Sequence, residues 1–209
     1  MATASIVLSS CGSMLEMAGP DAVTPNTGTP VTPGGGNGNT GNPGNIKGTW
    51  QFVDISVESS TNMSAVGTKI SSYMKYTTSN NGGSIVIDDA NIAGKDLTYS
   101  VVADVRVTIS APVIGDEVTN MPVAMKMDPY SASSPYRLAG KDSIYIAEGM
   151  MHAPQGSGIA DIPSFGGRGK YWMSGDTLCI SLYSAGSIAG EMGPTAFTAT
   201  QLMKAVKSK

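Results

Sequence analysis

Thirteen residues limit what this chain can become. In residues 97–109, Leu97, Tyr99, Val101, Ala103, Val105, Val107 and Ile109 occupy every second position. Between them stand Thr98, Ser100, Asp104, Arg106 and Thr108, with Val102 the one apolar exception. A period of two over this length predicts a β-strand with one buried face and one wet face. A strand wet on one side belongs to an antiparallel sheet.

Shorter runs of the same kind surround it. Residues 50–57, 84–88 and 196–203 read as strands. Residues 70–77 read as a strand or, around Ile70-Ser71-Ser72-Tyr73-Met74, as a helical turn. Residues 121–127 alternate Met121, Val123, Met125 and Met127, and Pro122 demotes the start of that strand. Gly140-Lys141-Asp142 and Ser174-Gly175-Asp176 each divide two apolar runs, as hairpin turns do. Residues 187–192 hold at most a turn or two of helix, weakened by Gly190. The fold class is therefore all-β: an antiparallel up-and-down β-barrel of about 8–10 strands, with a β-sandwich as the alternative.

Composition divides the chain. In residues 19–45 there are 8 Gly and 5 Pro, and Asp21 is the only charge. Such a segment cannot bury enough apolar surface to offset its conformational entropy, so a disordered tether is expected over 12–45. As a Gly-rich coil, 27 residues span about 30 Å. Ahead of it, Ile6-Val7-Leu8 leads into Ser9-Ser10-Cys11, so 1–11 reads as a residual signal. No run of 18 apolar residues is present to cross a membrane as a helix. The net charge of −3 supplies no basic field for nucleic acid.

Two resemblances follow from these residues. Leu8-Ser9-Ser10-Cys11 before a tether resembles the lipobox of bacterial lipoproteins, in Bacteroidetes-type genomes especially. It implies lipidation of Cys11, a membrane anchor, and a place in the cell envelope, most simply the outer membrane. Gly48-Thr49-Trp50 at the first strand is similar to the lipocalin opening motif, and Tyr171-Trp172-Met173-Ser174-Gly175-Asp176-Thr177-Leu178-Cys179-Ile180 looks like the late hairpin of bacterial lipocalin-like domains. The resemblance covers residues 46–209. It implies a barrel plugged at its base by Trp50. It also implies a late Lys or Arg against that Trp, for which Lys204 is the expected substitute.

The chemistry-bearing residues form no convergent catalytic set. His152 is the only histidine. A hydrolase using His152 is the enzymatic alternative to a non-enzyme. Cys179 reads as a small buried hydrophobe. Gly166-Gly167-Arg168-Gly169 lacks the strand–loop–helix setting of a phosphate loop. Asp88-Asp89 and Asp116-Glu117 read as turn acids, with Ca²⁺ binding as the alternative. No metal or cofactor is called for. Residues 149–169 read as a long loop over the barrel mouth, with Met151 for a greasy ligand and Arg168 for an anionic head. Tyr99, Val101, Met125 and Met173 are the expected wall. The functional expectation is a monomeric, lipid-anchored binding protein enclosing a small apolar or amphipathic molecule. The alternative is a surface module whose loops contact protein or glycan.

Overall fold

The computed structural model describes residues 45–65, 67–113, 115–149, 165–188 and 193–208. Cys11, the tether up to residue 44, Met151 and His152 lie outside the described residues, as does most of the segment read as helical, 189–192. The described residues form nine strands: β1 (Gly48–Ala65), β2 (Thr68–Thr77), β3 (Ser79–Ile87), β4 (Asn91–Ala111), β5 (Gly115–Ala139), β6 (Ser143–Glu148), β7 (Phe165–Ser174), β8 (Thr177–Ile188) and β9 (Thr195–Lys207). All pairings are antiparallel, in one sheet.

The chain meanders. β2 and β3 share a single lateral position, because both lie between β1 and β4 and only Thr78 separates them. Thr78 is buried and pinned to β1. Its N–H donates to the Ile55 carbonyl and its Oγ1 accepts from the Ile55 N–H, each at 3.0 Å. From β3 onward each strand pairs with the next, and β9 returns to pair with β1 from Trp50↔Lys207 to Met63↔Thr195. The hydrogen bonding thus runs round a ring.

The thirteen-residue alternation is realised within β4. Leu97, Tyr99, Val101, Ala103 and Val105 are buried, and Val102 is 76% exposed on the wet face. The strand is longer than the pattern, since β4 continues to Ala111 alongside β2 and β5. Residues 70–77 are strand throughout. Pro122 does not delay β5, which begins at Gly115. Among the described residues, β6 pairs only with residues 136–139 of β5. Pro122 lies on the stretch with β4 alone beside it, where a missing N–H is tolerated as on an edge strand.

β1 changes face midway. Trp50 and Phe52 are buried, and then Ile55 and Val57. The register shift between Phe52 and Asp54 inserts one residue, and an inserted residue swaps the two faces. Asp54 is thereby turned outward toward its cross-strand partner Lys204, at 3.4 Å.

Both hairpin turns occur where the sequence places them, with Ala139↔Ser143 and Ser174↔Thr177 as the closing pairs. The Gly run of residues 166–169 lies in β7, so the long connection ends at Phe165. A Cβ on Gly169 would collide with the Ser181 carbonyl of β8. These glycines permit close backbone approach and form no loop over a mouth. Gly169→Ala is expected to destabilise the domain by about 1–3 kcal/mol, the usual cost of overpacking. Urea unfolding reads this as a lower midpoint at unchanged slope; an unchanged midpoint removes the close-approach argument.

Candidate functional site

The inward faces meet in one apolar cluster, in which Trp50, Ile85, Ile92, Leu97, Val101, Ile146, Leu178 and Ile180 are almost wholly buried. The meander gathers the β7–β8 turn, the start of β1 and the end of β9 at one end of the ring. Trp50 closes this end. It is 1% exposed, and its indole N–H donates to the Ile46 carbonyl at 2.8 Å. The cation against it is Lys207, with Nζ 5.9 Å from the ring centroid. Lys204, the residue expected there, is three positions away and faces outward to Asp54. Alternation explains the difference: Met203, Ala205 and Lys207 share the inward parity, and Lys204 does not.

Three expected wall residues come together on β4 and β5. Val101 lies opposite Met125, and Tyr99 lies opposite Met127. Tyr99 and Val101 are buried, whereas Met125 and Met127 are half-buried against the core. Val123 and Tyr130 on β5 are half-buried in the same way. Accessible apolar surface therefore runs along the inward side of β5. This is the strand whose far edge meets β6 over four residues only. Met173 packs on the core from β7, next to the β7–β8 turn, away from this strip. Arg168 is exposed on β7 and points away from the interior, since its neighbours Gly167 and Gly169 have the inward parity.

The strip carries a polar feature that the sequence reading missed. Tyr76 of β2, Tyr99 of β4 and Tyr130 of β5 interact with one another. The Tyr99 and Tyr130 rings meet edge to face, with centroids 6.2 Å apart and planes at 77°, and their hydroxyls are hydrogen-bonded. Burial first, and then Tyr130, pushes the Tyr76 phenol up to about 12. Burial, again with Tyr130, also pushes Tyr99 upward. Burial keeps the Tyr76 and Tyr99 phenols neutral at physiological pH, and the Tyr99–Tyr130 hydrogen bond uses one hydroxyl proton of that pair. Period-two spacing from Met74 could have flagged Tyr76. Pro129 and a register shift near Leu97 hid Tyr130.

Other marked residues have structural roles. The Asp88 carboxylate accepts the Ala90 and Asn91 N–H groups at 2.8 and 2.7 Å, which caps the turn and lowers its pKa. Asp89 pairs with Lys47. Cys179 is buried in β8, and burial pushes its thiol up, the reverse of nucleophile activation. Among the described residues no three His, Cys, Asp or Glu side chains cluster as a metal site. No family model, curated protein or solved structure matches the chain.

Tyr76 gives a pH prediction with a definite sign. Unfolded, its phenol titrates near 10.0; folded, near 12. The folded state holds the proton through that window while the unfolded state loses it. Stability is therefore full below about pH 10 and falls as pH rises toward about 12. The two-unit gap corresponds to about 2–3 kcal/mol. Tyr76→Phe should flatten this decline in urea unfolding series at pH 8 to 11.5. An equally steep decline in the variant would assign it elsewhere.

Proposed function

We propose that residues 46–209 form a lipocalin-like, closed antiparallel β-barrel that encloses a small apolar or amphipathic molecule. The observation that carries this reading is the half-buried strip of Val123, Met125, Met127 and Tyr130, set beside the fully buried Tyr99 and Val101. An apolar surface kept partly open, with few polar groups, is what enclosure of a greasy ligand requires. Methionine suits it, because an unbranched thioether adapts to varied shapes. The phenol of Tyr76 and the hydrogen-bonded Tyr99–Tyr130 pair supply polar groups that orient a ligand without a charged partner. The pairing of β1 with β9 supports a closed barrel over a sandwich of two separate sheets.

In this reading Trp50 plugs the base, with Lys207 over it, and binding occurs beside β5. Met151, outside the described residues, belongs to this reading as a further apolar contact for the ligand. The protein is a monomeric non-enzyme with no cofactor. It is held in the cell envelope, at the outer membrane, by lipid on Cys11; stable anchoring needs more than one acyl chain.

Two experiments test the two halves of this proposal. A lipophilic fluorescent probe titrated into the full chain should bind saturably, and Met125→Lys should weaken binding about tenfold or more by placing a charge on the strip. Absence of probe binding, with no copurifying ligand in native mass spectra, would end the carrier reading. In a chain carrying a complete signal, Cys11→Ser should move the protein from the membrane fraction to the soluble one; continued sedimentation with membranes would remove the anchor.

A further inference from the structure

The outward face of β5 to β8 carries a row that the carrier reading does not use. Arg137 lies opposite Tyr145, Tyr145 opposite Arg168, and Arg168 opposite Tyr183. Directly opposed residues share a face, so four side chains stand in line across four strands, cation and ring alternating. Neighbouring strands are about 4.8 Å apart, so like groups recur about every 10 Å. The Arg137 guanidinium lies 4.7 Å from the Tyr145 ring centroid. Tyr183 is 55% exposed, and both arginines are exposed.

Two further observations give the row its character. Every ion pair among the described residues uses a lysine, and none engages Arg137 or Arg168. Lys170, the nearest cation along β7, is already held by Asp142 at 3.1 Å. The same-face positions on one side of the row are Pro135, Ala147, Gly166 and Ala185, all uncharged and mostly small. The planar groups therefore rise above a low shelf. At its β8 end the row meets Thr200, and then Glu58, which is engaged by Lys75 and Tyr73.

We infer that this row is a docking strip for an anionic polysaccharide, a chain of uronate-type sugars. The row complements such a chain in charge and in shape. Two guanidiniums without an acidic partner among the described residues present forked donors that match carboxylates. The exposed Tyr183 ring is available to the apolar face of a pyranose, and the Tyr145 ring carries the Arg137 guanidinium beside it. Equal spacing along a line of exposed side chains suits a repeating polymer better than a compact ligand. The strip is a strand face, distinct from the interior strip along β5, so it stands or falls independently of the carrier reading.

The test is calorimetric titration of the full chain with oligogalacturonate, and with its methyl ester as the neutral counterpart. The wild type should bind the acid form and not the ester. Arg137→Gln/Arg168→Gln should weaken binding about tenfold or more, and Tyr183→Ala should weaken it as well. Arg168→Lys keeps the charge but loses the planar fork, so it should behave like Arg168→Gln. Lys170→Gln should stay within about twofold of the wild type, because its charge is already paired. Circular dichroism of each exposed-site variant should match the wild type. Absence of wild-type binding overturns the inference. So does Arg168→Lys binding at wild-type strength, which would mean simple charge attraction. Tighter binding of single-stranded DNA, or of vesicles rich in anionic lipid, overturns it equally.

Discussion

The pairing of β1 with β9 is the contact on which the domain depends. It joins the two ends of a meander, and without it each would present an open edge of unpaired N–H and carbonyl groups. Its register also sets Lys207 over Trp50 and turns Asp54 to Lys204. It is the longest-range pairing in the chain, because it joins the first strand to the last. Ring closure is therefore costly in chain entropy and follows the local hairpins. The small residues Ala199 and Ala205 on the inward side of β9 let the backbone sit close to its neighbours.

The inside and outside of the ring use different physics. Inside, burial removes aliphatic and phenolic surface from water, and the buried hydroxyls of Thr78, Ser134 and Ser184 have protein partners that fix geometry. Ser134 shows this: fully buried, its hydroxyl accepts the Glu148 N–H at 2.8 Å. Ser184 ties β8 to β7 by donating its hydroxyl to the Gly166 carbonyl. Outside, the charges are exposed and their pairs add little to stability. Arginine and tyrosine on that side are thus free to be chosen for recognition.

Much of the fold was legible because local patterns coincide with global ones. The alternation of residues 97–109 reports a face, and Gly140 and Gly175 mark turns through positive φ, at 67° and 60°. What escaped was non-local. The second half of β1, rich in Ser, Thr and Asn, is a strand because β2 and β9 flank it, and its own side chains do not announce this. β2 and β3 looked independent because a bulged stretch around Asn80 and Gly83 interrupts one continuous path. Of the expected site, Tyr99, Val101 and Met125 do meet. Met173 and Arg168 are elsewhere, since no single-strand pattern reveals which strands become neighbours. The tyrosine trio is invisible for the same reason.

Among the described residues β6 covers β5 only at residues 136–139, and the remainder of that side bears on the protein's life at high concentration. An edge with backbone groups to spare invites strand addition from another molecule, the first step toward fibrous aggregates. Pro122 and Pro129 break the sequence of donors along that side, and Asp116, Glu117, Lys126 and Asp128 surround it with solvated charge. The apolar strip is then half-buried beside backbone that is a poor template for a second chain. Resistance to self-association along this strand thus rests on residues that the apolar strip does not include.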